Sequence, residues 1–195
     1  MPWWYSLIAL AVLAPLAWKL FAKSQRTTGL VIGPWINGKC RSRGYRLRPE
    51  RLGDGWTVYI EPGQELRAVQ DFGFRITGKV LRFRYRCKGQ FTPSEAPERP
   101  ALVSLVIQRK GDDWSAYGEK ANYRLYSPAF PLTEGEHSFD VQLEGWTNVW
   151  GKPADMAPVI RDLSNLAVAF GHRGGRMHGV TGSGTFTLVE LEPQP

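Results

Sequence analysis

The sequence predicts an all-β, jelly-roll-like β-sandwich preceded by one N-terminal transmembrane helix. Three observations predict it: a charge-free apolar start, segments that alternate apolar and polar residues, and turn residues scattered singly between them. Met1 to Trp18 (MPWWYSLIALAVLAPLAW) contains no charged side chain. Trp3, Trp4 and Tyr5 stand at one end, and Trp18, Lys19, Phe21 and Lys23 at the other. Aromatic rings at both interfaces and lysines reaching back to water are the pattern of a bilayer span. As a helix, Pro2 to Ala22 reaches about 30 Å, the thickness of the hydrocarbon layer. Pro15 is tolerated in a membrane helix.

A cleaved signal peptide is the rival reading of this segment. It wants a basic start and a small-x-small cleavage site, and the chain offers neither in good form. An uncleaved anchor over residues 1–23 is therefore expected, followed by a basic juxtamembrane linker over 24–52 and a β-sandwich over 53–192. The expected location is the cell membrane, single-pass. Lys19, Lys23 and Arg26 after the span favour a cytoplasmic domain by the positive-inside rule. Short anchors carrying sandwich domains, and an even pair of cysteines, favour the extracytoplasmic or periplasmic side, which is the side taken here. Cys40 and Cys87 are compatible with one disulfide or with two buried thiols.

The soluble part is long enough for one domain with a real core. Twenty-one Gly and fourteen Pro fit many turns between short strands, and no repeat appears. Charge is unevenly divided: residues 1–110 hold 19 Lys+Arg against 7 Asp+Glu, and residues 111–195 hold 6 against 11, so +12 and −5 sum to the net +7. One part of such a molecule suits anions.

Trp56–Ile60 (WTVYI) reads as a strand closed by Glu61-Pro62-Gly63. Lys79–Lys88 (KVLRFRYRCK) is the clearest strand, with Leu81, Phe83, Tyr85 and Cys87 on one face and Arg82, Arg84 and Arg86 on the other. Ala101–Gln108 is apolar on both faces and reads as a central strand. Ala121–Tyr126 is a further strand, and Ser138–Glu144 (SFDVQLE) alternates again. Pro153–Asn165 holds a short helix. Leu166–Phe170 is a buried strand, the glycines from 171 to 179 make an open loop, and Gly184–Leu191 closes the domain.

The series LRFRYRCKG, an apolar strand, a WSAYG loop, PL…G…F-x-V-x-L, W-x-x-V-x-G, a strand ending in F-G and a terminal G-x-F-x-L resembles the galactose-binding-like jelly roll. That group includes carbohydrate-binding modules and complex I intermediate-associated proteins, and the resemblance covers about residues 53–192. It implies a non-catalytic binding module.

Three constellations carry chemistry. The Arg82, Arg84 and Arg86 guanidiniums stand about 7 Å apart and repel unless anions intervene. Asp140, Gln142 and Glu144 alternate in the complementary way, so antiparallel pairing of the two strands absorbs the ladder. The alternative has the ladder, with Arg41, Arg43, Arg46 and Arg48, gripping lipid phosphates or an acidic partner.

Trp114 and Tyr117 in GDDWSAYG, and Trp146 and Trp150 in EGWTNVWG, lie in Gly-flanked loops. Such rings either plug the ends of a sandwich or stack on sugars, with Asn148, Asp112 and Asp113 taking the hydroxyls. His172 and His178 flank a glycine-rich loop and, with His137, are the metal-ligand candidates. Zinc-type sites want three or more ligands at defined spacing, so no metal and no cofactor is expected.

No nucleophile elbow, phosphate loop, Cys-His zinc spacing or heme-attachment motif is present. No enzyme activity and no nucleic-acid partner is expected. The leading expectation is an accessory or binding subunit of a larger membrane complex, with the bilayer and integral membrane subunits as partners. The alternative is a membrane-tethered carbohydrate-binding module, and an enzyme of unknown type comes third.

Overall fold

The computed structural model describes residues 50–52, 54–71, 76, 78–113, 117–172 and 177–194. Among these, no helix is long and apolar enough to cross a membrane. The expected anchor, with Trp3, Trp4, Tyr5, Trp18, Lys19 and Lys23, lies outside the described residues, as do Cys40, Arg41, Arg43 and Trp114.

The described residues form two antiparallel sheets packed face to face. The elements are β1 (Glu50–Leu52), β2 (Gly55–Ile60), β3 (Glu65–Leu66), β4 (Ala68–Asp71), β5 (Val80–Pro93), β6 (Leu102–Arg109), β7 (Arg124–Tyr126), β8 (Phe130–Pro131), β9 (Gly135–Gln142), β10 (Leu163–Gly171) and β11 (Val180–Gln194). One sheet runs β1-β2-β11-β5-β9, with β3 also on β11; the other runs β4-β10-β6-β7, with β8 also on β6.

Alternation along β5 does what its sequence demands. Leu81, Phe83, Tyr85 and Cys87 are at most 1% exposed, while the arginines between them lie half-buried on the opposite face. In the other sheet Leu105 and Ile107 of β6 and Leu166, Val168 and Phe170 of β10 are likewise buried. Phe170 stands edge-on to Phe186 of β11 at 4.9 Å between centroids, and Phe130 of β8 stacks on Phe139 of β9 at 4.4 Å, so aromatic pairs join the two sheets. The Tyr85 hydroxyl, enclosed here, donates to the Pro131 carbonyl.

Cys87 is a free thiol in this core, and burial pushes it up to about 12. β6 and β10 are buried on both faces, as the largely apolar run of β6 predicts. Their outward residues Val106, Ala167 and Ala169 join Ala68 and Tyr126 in a second cluster, against which Val149 and Met177 pack.

Several elements differ from expectation. The sheet begins at Glu50, where β1 pairs with β2 in residues read as linker. Residues 121–126 are part 3-10 turn (Gly118–Asn122) and part strand. The short helix expected within 153–165 is found there as α1 (Ala157–Arg161), ended where β10 takes the chain from Leu163 to pair with β6.

The last strand is far longer than 184–191. It runs from Val180 along the whole of β5, and glycines at the crossing make this possible: a Cβ at Gly184 would stand 2.1 Å from the Lys88 carbonyl oxygen. A bulge between Leu188 and Glu190 then resets the alternation, so that Glu190 and Glu192 share the outer face with Thr185 and Thr187.

Candidate functional site

The outer face of the six-stranded sheet carries the arginine ladder. β5 pairs with β9 antiparallel, with Arg82 opposite Asp140, Arg84 opposite Ser138 and Arg86 opposite Glu136. Arg82 binds Asp140 through two hydrogen bonds at 3.0 and 3.3 Å. Arg84 is held between Glu136 at 2.9 Å and Glu190 at 3.1 Å. Hydrogen bonding to these carboxylates raises the pKa of both guanidiniums, and Arg82 in turn holds the Asp140 carboxyl below the usual carboxylate range.

The antiparallel pairing expected from the sequence is therefore the one observed, with a different partner set. Asp140 serves as read. Gln142 lies opposite Val80, Glu144 falls beyond the strand end, and Glu136, Glu190 and Asp54 take the remaining positions. Arg82 and Arg84 are thus held by close ion pairs, whereas Arg86 has, among the described residues, longer contacts to Asp54 at 3.4 Å and Glu136 at 3.8 Å.

The two aromatic loops meet at the edge of the other sheet. Thr147 bridges to Tyr126 and to Pro153, so the second loop extends that sheet beyond β7. The Asn148 amide donates to Asn122 Oδ1 at 2.8 Å, tying the second loop to the end of the 3-10 turn that follows the first. Asn148 Oδ1 also accepts from the backbone N–H groups of Trp150 and Lys152, at 2.9 and 3.1 Å.

Asn148 is therefore a scaffold for the turn and lies 6% exposed, not positioned as a hydroxyl acceptor. Trp146 is fully buried, and its indole N–H donates to the Gln142 carbonyl at 2.8 Å. It takes the plugging role, since no face of the ring is open to a sugar. Tyr117 is 80% exposed and Trp150 47% exposed, so two rings stand out from the surface, one just before the 3-10 turn and one on the loop tied to its end.

Beneath these loops lies a polar layer that sequence reading did not single out. The Arg124 side chain, 4% exposed, reaches Asp112 at 3.3 Å, and Asp112 also accepts from the Gln108 amide. Arg124 Nε donates to the Tyr126 hydroxyl at 2.9 Å. Gln108 and Arg124 are register partners on β6 and β7. This network anchors the start of the first loop, and Lys120 closes on Asp113 further along. Both aspartates are thereby engaged by cations of the protein. The signal for the layer was a lone arginine in an otherwise apolar strand (RLY), legible only once β7 was known to be buried.

The histidines do not converge. His178 Nδ1 lies 3.2 Å from Glu95 Oε1, while His137 Nε2 meets the Thr133 carbonyl at 2.9 Å with its ring stacked 4.9 Å from Tyr85. Among the described residues no group of three His, Cys, Asp or Glu side chains is placed to hold a metal ion, so His172 and His178 are not brought into such a set.

No protein family and no curated protein matches the chain in sequence. Solved structures similar to it are carbohydrate-binding modules, the class that the sequence pattern resembles. A family 29 carbohydrate-binding module variant complexed with mannohexaose has a TM-score of 0.43 and 9% identity, covering 78% of this chain and 77% of the module. Another family 29 module gives 0.41 and 8%, covering 78% and 75%. A third, also a variant of that family, gives 0.40 and 8%, covering 80% of each chain.

Proposed function

We propose that the chain is a non-catalytic glycan-binding module whose contact surface is the pair of tied loops carrying Tyr117 and Trp150. The observation that carries this reading is the exposure of those two rings, with the Trp150 loop tied by the Asn148–Asn122 hydrogen bond to the 3-10 turn that follows Tyr117. A ring set on a rigid loop offers an apolar face to the C–H face of a pyranose at low entropic cost. The buried Arg124–Asp112–Gln108 layer supports it by holding the first loop from below.

The test is a glycan array with the full-length chain. Binding that disappears on Trp150→Ala or Tyr117→Ala, with the thermal midpoint retained, is the expected outcome. An array without a single hit overturns the proposal.

A second reading rests on the charge-free run Met1–Trp18, which suits a lipid tether. In that reading the module is delivered to a membrane surface as an accessory subunit. Purification in mild detergent that returns only the lone chain, without membrane subunits, counts against it.

A further inference from the structure

The outer face of the six-stranded sheet holds a shallow depression of about 300 Å³, separate from the loop site. Thr57, Tyr59, Arg86, Lys88, Thr185 and Thr187 line it. Strand register arranges these six residues as a grid. Tyr59, Thr185 and Lys88 form one row across β2, β11 and β5, and Thr57, Thr187 and Arg86 form the next. Adjacent strands lie about 4.8 Å apart, so the row spans roughly 10 Å, with rows about 7 Å apart. That is the footprint of a mono- or disaccharide.

Charge compensation runs out where this grid begins. Along β11, Glu192 and Glu190 lie opposite Arg82 and Arg84, but the next outward residues are Thr187 opposite Arg86 and Thr185 opposite Lys88. Arg86 accordingly has only long contacts, to the exposed Asp54 at 3.4 Å and to Glu136 at 3.8 Å, and Glu136 is already held by Arg84 at 2.9 Å. Lys88 is exposed and makes no salt bridge among the described residues. One wall is therefore cationic.

The opposite wall is Tyr59, which is 46% exposed on a sheet face where its neighbours are threonines. The floor is hydroxyl-bearing: Thr57 and Thr187 share a hydrogen bond at 2.9 Å, and each hydroxyl keeps further lone-pair capacity.

We infer that this grid is a second binding site, for an anionic saccharide unit. Tyr59 stacks on the sugar's apolar face, the threonines meet its hydroxyls, and Arg86 with Lys88 receives its carboxylate. A guanidinium beside an ammonium suits a carboxylate better than a neutral hydroxyl, because charge-assisted bonds are about twice as strong. A bare phosphate or a lipid headgroup would use the cations and the hydroxyls and leave the Tyr59 ring idle.

The experiment is calorimetric titration of the full-length chain in detergent. Tetramers of galacturonate, glucuronate and mannuronate are tested beside their methyl esters, which keep the rings and lose the charge. At least one acid tetramer binds, and its ester binds at least about tenfold more weakly, one charge-assisted contact being worth a factor of that order. Lys88→Gln, Arg86→Gln and Tyr59→Ala each lower the affinity by a similar factor with an unchanged thermal midpoint, while Trp150→Ala leaves it intact. The last arm separates this site from the loop site, so either can fail alone. Equal affinity for acid and ester, indifference to Lys88→Gln, no binding of any tetramer, or inorganic phosphate binding as tightly as the saccharide each overturns the proposal.

Discussion

Replacing Trp146 and Trp150 one at a time separates the plug from the platform, two roles that the sequence motif EGWTNVWG leaves indistinguishable. Trp146 has no exposed surface and donates its indole N–H to the Gln142 carbonyl at 2.8 Å. Truncating a fully buried tryptophan to alanine costs about 3–5 kcal/mol, transfer and cavity together. The hydrogen bond is the smaller part, about 1 kcal/mol, and Gln142 lies at an exposed position where water can replace the donor. For a domain of this size each kcal/mol moves the midpoint by about 2–4 °C, so Trp146→Ala lowers it by roughly 6–20 °C. Trp150 is 47% exposed, and the backbone N–H that fixes its turn through Asn148 survives truncation. Its replacement costs about 1 kcal/mol or less. Far-UV circular dichroism melts of both variants, run beside glycan binding, give the answer. A Trp146→Ala protein that melts like the parent but no longer binds glycan refutes the assignment, and so does a Trp150→Ala protein that melts as early as the Trp146 variant.

Two further predictions concern buried groups. Burial holds the Cys87 thiol protonated, pushed up to about 12 from its ordinary 9.0, so the fold binds a proton that the unfolded chain releases. Its contribution is complete below pH 9 and is lost as pH rises toward 12, at about 1.4 kcal/mol per pH unit, and Cys87→Ala flattens that slope in urea melts. Stability that stays level between pH 9 and 11 in the parent rejects the burial argument, as does iodoacetamide labelling of Cys87 in the native protein at pH 8.5. Arg124→Met strips the buried Asp112 carboxylate of its cation and destabilises by about 3–5 kcal/mol. Adding Asp112→Asn recovers part of that loss, because the charge left behind is removed with it, and a double-mutant cycle with no coupling rejects the pair as a unit.

How much of this was legible follows the period of the residues. β5 is readable because its inward Leu81, Phe83, Tyr85 and Cys87 alternate without a break against arginines. β6 is readable because nothing polar interrupts Leu105 to Ile107, so neither face can meet water. The short strands β3, β4 and β8 were missed because two to four residues carry no measurable period, and long-range pairing alone defines them. The short helix expected within 153–165 is present as Ala157–Arg161, and pairing of β10 with β6 from Leu163 ends it. At the loops, sequence identified the aromatic set but not its division. Whether a tryptophan stacks on a ligand or fills a core depends on which side of a turn it leaves, and Asn148 sets that turn through bonds to Asn122, Trp150 and Lys152.

The arginine ladder shows most plainly what a linear pattern withholds. From β5 alone, Arg82, Arg84, Arg86 and Lys88 are four equivalent cations on one face, and like charges at that spacing must be answered by something. The structure answers them unequally, and the cause is one residue. Continued alternation from Thr187 would turn Val189 and Leu191 outward and bury Glu190 and Glu192. The bulge between Leu188 and Glu190 shifts the register, delivering both glutamates to Arg84 and Arg82 while Leu191 stays in the core. N-terminal to the bulge β11 sets Thr187 and Thr185 opposite Arg86 and Lys88, so Arg86 is left with the longer contacts to Asp54 and Glu136, and Lys88 makes no salt bridge among the described residues. The same irregularity that stabilises one half of this face leaves the other half suited to an anion.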